Sequence, residues 1–157
     1  MLTLIRQAGA IEAEPVDGVV LRSPTRDDAV GLGQLYFASY TPGVAAATPE
    51  EAFEDIELTF EGAYGVLDLD LSWLAWVGAE LVGALLVVER APWPDTPGCA
   101  FIVELFTAPT HRRLGIGRLL LAASANVTIA LRVDENNVAA LALYRRLGFR
   151  HDEAGSC

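Results

Sequence analysis

Short apolar segments recur along the chain and predict the strands of a sheet. Short runs rich in Val, Leu, Ile, Phe and Trp, bounded by turn-forming residues, are typical of β-strands. They predict strands at 2–6, 19–22, 72–77, 81–89, 99–107 and 127–133. The tripeptide Gly78-Ala79-Glu80 separates the third run from the fourth, which indicates a hairpin.

Four other segments have the spacing of helices. Thr48 as N-cap, Pro49 at the first helical position and Glu51 at the third form a strong helix start. The residues that follow predict an apolar stripe on one face and acidic residues that face water on the other. The stripe is Ala52, Phe53, Ile56 and Phe60, and the acidic residues are Glu54, Asp55 and Glu57. The other predicted helices are 25–40 with Thr25 as N-cap, 115–125, and 137–147 with Gly148 after its end.

The order of these elements predicts the fold class. After the first predicted strand at 2–6, a strand, two helices, three strands, a helix, a strand and a helix follow one another. This order predicts a mixed α/β fold around one sheet. A length of 157 residues favours a single domain.

Charge is distributed unevenly around a net value of −10. Residues 1–104 hold 17 acidic residues and four arginines, whereas residues 105–157 hold four acidic residues and seven arginines. The acidic part opposes nucleic-acid binding, and the basic part suits an anionic ligand.

Composition also excludes several classes of protein. No apolar run is long enough to span a membrane, and the N-terminus lacks a signal-peptide pattern. Cys99 and Cys157 fit no metal-ligand spacing. We therefore expect no metal, no membrane association, free thiols and a cytoplasmic location.

The segment from Glu104 to Arg118 carries the strongest chemical signal. A strand passes through Pro109 into a loop with two glycines and then into a helix. Glycines let a backbone approach a ligand closely, and the free N–H groups of a helix start favour an anion. Arg112, Arg113 and Arg118 add positive charge, so the loop suits a pyrophosphate, although an ordinary glycine-rich turn is the alternative. The dinucleotide pattern lacks its third glycine because position 120 is Leu, and the P-loop lysine is absent.

These residues resemble the GNAT superfamily of N-acetyltransferases. Arg112-x-x-Gly115-x-Gly117 is similar to the family's acyl-CoA-binding motif, and the segment 131–149 is similar to its following strand and helix. Matching positions there are Asn137, Ala140, Tyr144 and Leu147-Gly148-Phe149. The resemblance covers about residues 19–150, with 1–16 as an extension of one domain over 1–157. It implies an α/β (α+β) GNAT fold whose central strands 99–107 and 127–133 splay apart to form an acyl-CoA cleft.

The resemblance also implies roles for individual residues. Acetyl-CoA is the expected co-substrate. Backbone groups of 105–107 are expected to hydrogen-bond its pantetheine arm, and an N–H there would also polarise the thioester carbonyl. The N–H groups of 113–118 are expected to bind its pyrophosphate. Tyr144 is expected to protonate the departing thiolate, and Asn137 to contact the cofactor arm. Their alternatives are core packing for Tyr144 and a plain helix N-cap for Asn137. The expected cofactor-binding residues are Leu105, Phe106, Thr107, Arg112, Arg113, Leu114, Gly115, Ile116, Gly117, Arg118 and Asn137.

Attack by an amine requires loss of a proton, because a lysine-like amine with a pKa of about 10.4 is almost fully protonated at pH 7. Glu104 is the candidate general base, since its strand lies beside the reacting thioester. Strict alternation places it on the face of Ile102 and Phe106. If that face is the cleft, burial raises the pKa of Glu104; if not, Glu104 is a surface charge. Asp134 and Glu89 are weaker candidates.

The acceptor is expected to bind between residues 40–48 and 90–98. Either the side chains of Trp73, Trp76 and Trp93 line this pocket, or they belong to the hydrophobic core. The acidic residues of 50–61 suggest a cationic acceptor, such as a polyamine, an aminoglycoside or a protein amine. A non-catalytic acyl-CoA-binding module is the alternative function. The family commonly continues into one more strand after the last helix, so a partner chain in a homodimer is one expected way to complete the sheet.

Overall fold

A seven-stranded mixed sheet forms the centre of the computed structural model, which describes residues 1–40, 44 and 46–152. The strands lie in the order β2-β3-β4-β5-β6-β1-β7. All neighbours run antiparallel except β5 and β6, which are parallel. The strands are β1 (Leu2–Arg6), β2 (Val19–Arg22), β3 (Trp73–Val77), β4 (Glu80–Val88), β5 (Ala100–Thr107), β6 (Ile129–Val133) and β7 (Arg150–His151).

The described residues form four α-helices beside the sheet. They are α1 (Ala29–Ser39), α2 (Pro49–Glu61), α3 (Ile116–Ala123) and α4 (Val138–Arg146). Gly83 of β4 faces α3, where a Cβ would come within 3.0 Å of Ile116. The next residue, Ala84, is paired with Phe106, whose ring contacts Tyr36 of α1. Successive strand residues point to opposite faces, so α1 and α3 lie on opposite faces of the sheet.

The helix α2 begins as the sequence predicts. The Thr48 hydroxyl accepts the Glu51 N–H at 3.1 Å, and Gly62 ends the helix with a φ of 91°. Helix α1 differs from the prediction at its start, because Arg26–Asp28 form a 3-10 turn before the α-helix begins. There the Asp28 carboxylate accepts the Thr25 N–H at 2.7 Å and pairs with Arg22 at 2.7 Å.

The first strand lies inside the sheet, between β6 and β7. It is antiparallel to β6 over Leu2–Arg6, and the short strand β7, which the sequence did not predict, pairs with its other side. The neighbour of β6 on the side away from β5 is therefore the chain's own N-terminal strand. Because β2 lies at the opposite edge of the sheet, residues 7–18 must cross the sheet to reach it.

Arg6 fixes the end of this first strand. Its side chain is 9% exposed and donates to the Leu147 carbonyl at 2.7 Å and the Gly9 carbonyl at 2.8 Å. A third, longer bond reaches the Ala125 carbonyl at 3.3 Å. One guanidinium thus ties the crossing segment to the ends of α3 and α4.

Two further findings concern the remaining sequence predictions. Cys99 is disulfide-bonded, so the prediction of free thiols is wrong for it; Cys157 lies outside the described residues. Among the described residues, no helix is both long enough and apolar enough to cross a membrane.

The hydrogen bonds of Arg6 predict a large effect on stability. Replacement of Arg6 by Ala leaves several buried carbonyl groups without a hydrogen-bond donor. It should lower the free energy of unfolding by about 2–4 kcal/mol. Arg26, which donates an exposed hydrogen bond to the Phe60 carbonyl, is the matched control, and Arg26→Ala should lower the free energy of unfolding by less than about 1 kcal/mol. Urea denaturation of both variants measures the difference; equal losses would contradict the structural role of Arg6.

Candidate functional site

The parallel strands β5 and β6 separate after three residue pairs. Ala100, Phe101 and Ile102 pair with residues of β6, and in the described part of the chain no later residue of β5 does so. The separation begins at Val103, an extra residue between the Glu104–Leu86 and Ile102–Val87 pairs of β4 and β5. The fold prediction of splayed central strands is confirmed, and the backbone of 103–107 borders an open cleft.

The bulge at Val103 also changes which side chains share a face. Glu104 and Ile102 are paired with adjacent residues of β4, so they lie on opposite faces of the sheet. The predicted common face of Glu104 and Ile102 is therefore wrong, because strict alternation does not hold across a bulge. Glu104 does share the face of Phe106, which is the face covered by α1.

The loop after β5 presents free backbone donors to the cleft. Arg113 has a φ of 64° and Gly115 a φ of 91°, so the chain turns sharply into α3. The first three N–H groups of α3, those of Ile116, Gly117 and Arg118, have no hydrogen-bond acceptor among the described residues. Together with the helix dipole they form a site that favours an anion.

A cleft of about 400 Å³ opens between this loop, β5, α1 and α4. Of the predicted site residues, it is lined by Leu105, Phe106, Thr107, Arg112, Arg113, Gly117 and Tyr144. Lining residues that the sequence did not single out are Ser39, Ala139 and Leu143; Tyr40 and Ala140 also line it. The Cα of Gly117 faces open space, since an added Cβ would meet no atom within 4 Å.

Other predicted cofactor residues lie outside this cleft. Leu114, Gly115 and Arg118 line a separate cavity of about 740 Å³ with residues 11–16. Ile116 is buried in the core, so only its backbone reaches the loop. Asn137 caps α4, accepting the Ala140 N–H at 3.2 Å.

Two of the three arginines near the loop are bonded within the chain. Arg112 donates to the Ser39 carbonyl at the end of α1, and Arg118 donates to the Glu12 carbonyl at 2.6 Å. Arg113 is exposed and lines the cleft. Positive charge at the cleft therefore comes from Arg113, and from Arg112 held in a fixed position.

Tyr144 lines the cleft and also packs in the core, with its ring centroid 5.6 Å from that of Phe149. Burial, and to a lesser degree the nearby Glu104 carboxylate, raises the pKa of Tyr144 to about 12. The hydroxyl is thus protonated at neutral pH and able to donate a proton.

Glu104 lies half-buried on the face of the sheet that α1 covers, and its carboxylate has tyrosine hydroxyl groups near it. The Tyr40 hydroxyl donates to its carboxylate at 3.5 Å, and Tyr40 in turn lines the cleft. Burial first, and the Asp55 carboxylate second, raise the pKa of Glu104 to about 8, while hydrogen bonds from Tyr36 and Tyr40 oppose the rise. This carboxylate can exchange a proton near neutral pH.

Asp55 belongs to this group of residues, although the sequence predicted that it faces water. It is half-buried and accepts a hydrogen bond from the Tyr64 hydroxyl. Helical spacing could have indicated this position, because Asp55 lies three residues after Ala52 and four before Thr59, both of which are buried. The apolar stripe of α2 is therefore wide enough to carry Asp55 at its border.

The other candidates from the sequence lie away from the cleft. Asp134 and Glu89, the weaker base candidates, are exposed. Trp73 and Trp76 are half-buried with buried indole N–H groups, and Trp93 stacks on Tyr64 at 6.4 Å. Of the predicted acceptor segment 40–48, residues 41–43 and 45 lie outside the described residues.

Comparison with known proteins places the fold in a family. The model of the acetyltransferase (GNAT) family matches residues 32–149, which is more than half of the chain. This chain belongs to the GNAT acetyltransferase family. The GNAT fold and acetyl transfer, predicted from the motifs, are thereby confirmed, whereas the acceptor and the roles of individual residues stay predictions. No curated protein matches the sequence significantly.

Solved structures share this GNAT fold at low sequence identity. PH1933 from Pyrococcus horikoshii OT3 is 21% identical, with 87% of this chain and 91% of that chain covered and a TM-score of 0.71. An acetyltransferase from Thermus thermophilus is 25% identical, with 87% and 90% covered and a TM-score of 0.64. The diaminobutyrate acetyltransferase EctA from Paenibacillus lautus, solved with diaminobutyric acid and coenzyme A, is 21% identical, with 84% and 75% covered and a TM-score of 0.57.

The raised pKa of Glu104 predicts how stability depends on pH. The folded protein keeps a proton on Glu104 up to about pH 8, whereas the unfolded chain releases it near the ordinary pKa of 4.5. The folded state binds more protons in that window, so Glu104 lowers the stability as pH rises from about 5 to 8. Glu104→Gln should remove this loss, and Glu54→Gln, at an exposed position of α2, should not. Urea unfolding at about pH 5 and about pH 8 measures the change in stability. The same pH dependence in wild type and Glu104→Gln would contradict the buried position of Glu104.

Proposed function

We propose that this GNAT protein moves an acetyl group from acetyl-CoA to a primary amine by direct attack in the cleft bordered by β5, α1, α4 and the loop before α3. The observation that carries the proposal is the convergence of three features on one cleft. These are the backbone edge of 103–107 that does not pair with β6, the free N–H groups at the start of α3, and the side chain of Tyr144. In this proposal the backbone edge holds the thioester, the free N–H groups bind an anionic group, and Tyr144 protonates the leaving group.

The residues of the cleft fit acetyl-CoA as the co-substrate. The free N–H groups of Ile116, Gly117 and Arg118, with Arg113 beside them, suit its pyrophosphate. Backbone groups of Leu105, Phe106 and Thr107 suit the amide groups of its pantetheine arm, as strand edges pair with extended ligands. The acetyl thioester is the chemistry that the co-substrate brings, and this chain binds and orients it.

Proton transfers are assigned to Tyr144 and Glu104. The amine loses its proton to Glu104, directly or through water and the Tyr40 hydroxyl, whose bond to Glu104 connects that carboxylate with the cleft. Nitrogen then attacks the thioester carbonyl, the C–S bond breaks, and Tyr144 donates its proton to the departing thiolate. The second proton that nitrogen loses as the amide forms restores the Tyr144 hydroxyl. Tyr144 is neutral, as the acid role requires. Glu104, with its pKa raised to about 8, takes the ionised form that the base role requires as pH rises toward and above 8.

We propose a cationic amine as the acceptor. The acidic half of the chain favours a positively charged ligand. The EctA structure contains diaminobutyric acid, an amine of that kind. A homodimer and a cytoplasmic location stay predictions. Disulfide bonds are rare in reducing compartments, so the disulfide bond of Cys99 is evidence against a cytoplasmic location.

Acetyl-CoA turnover with a panel of monoamines and diamines, followed by thiol release, tests the proposal. Tyr144→Phe should lower kcat about 10²-fold or more, while affinity for acetyl-CoA changes less than about threefold, because only proton donation is lost. Arg146→Gln, at an exposed position of the same helix, is the control and should keep wild-type turnover. Equal losses of turnover and affinity in Tyr144→Phe would rule out the acid role. Binding of acetyl-CoA without turnover for any amine would favour a non-catalytic acyl-CoA-binding module.

A further inference from the structure

One side chain connects the loop between β5 and α3 with the end of α1. Arg112 of that loop donates a hydrogen bond to the main-chain carbonyl of Ser39, the last residue of α1. The two residues are 73 positions apart in the chain, so the bond is a tertiary contact. Both of them line the cleft, as does Tyr40, which directly follows α1. The bond therefore joins the loop to α1 at the wall of the cleft.

The Ser39 carbonyl suits a guanidinium because it lies at a helix end. The last four carbonyl groups of an α-helix receive no N–H from the helix itself, and the helix dipole makes that end negative. A cation that donates to such a carbonyl satisfies the group, and charge-assisted hydrogen bonds are stronger than neutral ones. Ser39 itself is buried, and its hydroxyl donates to the Leu35 carbonyl at 2.6 Å. Arg112 thus holds a buried part of the last turn of α1.

The next two arginines of the chain have other surroundings. Arg113 is exposed and lines the cleft. Arg118 donates to the Glu12 carbonyl and lines a separate cavity. Because the guanidinium of Arg112 is directed toward α1, Arg113 is the arginine best placed to bind a phosphate.

The hydrogen bond of Arg112 also bears on the position of Tyr40. The Ser39 carbonyl and the Tyr40 N–H belong to one planar peptide unit, so a donor that fixes the carbonyl also fixes where Tyr40 begins. The Tyr40 ring packs edge-on against that of Tyr36, with 5.4 Å between the centroids. Its hydroxyl donates to the Glu104 carboxylate at 3.5 Å, a long bond that a small displacement would break. The contacts thus lead from Arg112 through Tyr40 to Glu104.

We propose that Arg112 is a positioning residue that holds Tyr40, and through it Glu104, for proton transfer, and that its side chain does not bind the pyrophosphate. The inference rests on the proposed base role of Glu104 and on acetyl-CoA as the proposed co-substrate. It changes the role expected from the acyl-CoA-binding motif, in which Arg112 is the first residue. The loop then has two tasks: Arg113 and the N–H groups that follow it hold the anionic group, and Arg112 holds the end of α1.

Two measurements that need no amine test the placement of Arg112. In Arg112→Gln the amides of residues 36–40 should exchange with solvent about tenfold faster, because the last turn of α1 loses a charged donor. Arg113→Gln, at the next position of the same loop, is the matched control and should leave their exchange unchanged. Calorimetric titration with acetyl-CoA should show the reverse order. Affinity should fall about tenfold in Arg113→Gln and less than about threefold in Arg112→Gln.

Three results would overturn the inference. The first is an unchanged exchange rate of residues 36–40 in Arg112→Gln. The second is faster exchange spread evenly over all four helices, which would make Arg112 a general contributor to stability. The third is a loss of acetyl-CoA affinity in Arg112→Gln as large as that in Arg113→Gln, which would make Arg112 a phosphate ligand.

Kinetics with an accepted amine separate the positioning role from a merely structural one. Arg112→Gln should lower kcat/KM for the amine about tenfold or more, while KM for acetyl-CoA changes little. Tyr40→Phe removes the hydroxyl directly and should cause a similar loss. If Arg112 acts through that hydroxyl, the double variant should be no slower than Tyr40→Phe alone, because both changes interrupt one path. Additive losses would contradict the positioning role.

The proposed function can fail separately from this inference. Full turnover in Glu104→Gln would contradict the proposed base role. The exchange and affinity results would still decide whether the side chain of Arg112 holds α1 or the pyrophosphate.

Discussion

The parting of β5 and β6 at Val103 is the constraint on which the site depends. Two parallel strands that remain paired bury their backbone groups in a ladder, and no ligand can reach them. One extra residue in β5 ends that ladder after three pairs and leaves the backbone of 103–107 facing open space. The same residue turns Glu104 onto the face of α1, so a single bulge creates both the cleft and the position of the candidate base.

The remainder of the fold holds the two parted strands in place. Beyond β5, the hairpin of β3 and β4 supports the strand, and β4 pairs with β5 as far as Gly83 and Thr107. Beyond β6, the N-terminal strand pairs over its full length, and Arg6 ties it to the ends of α3 and α4. An edge strand at β6 would be free to move, whereas a strand paired on its far side keeps the width of the cleft fixed.

Local patterns predicted most of the elements and the anion loop, because those features depend on neighbouring residues. The Thr48 cap, the hairpin at Gly78 and the two-glycine turn before α3 are of this kind. The place of the first strand could not be predicted, since its pairing with β6 joins residues more than 120 positions apart. The face of the sheet on which Glu104 lies could not be predicted either, because a β-bulge does not change the pattern of an apolar run.

Hydrogen exchange with and without acetyl-CoA tests the central claim, that the parted strands and the loop bind the acyl donor. The account predicts that acetyl-CoA slows exchange of the amides in 103–107 and 113–118, while β2 and β3 on the far side of the sheet are unaffected. Gly117→Glu should abolish this protection through bulk and like charge, and Gly117→Ala, whose added Cβ meets no atom within 4 Å, should bind better than the Glu variant and keep the fold. Protection of other segments, or binding that Gly117→Glu leaves unchanged, would contradict the account.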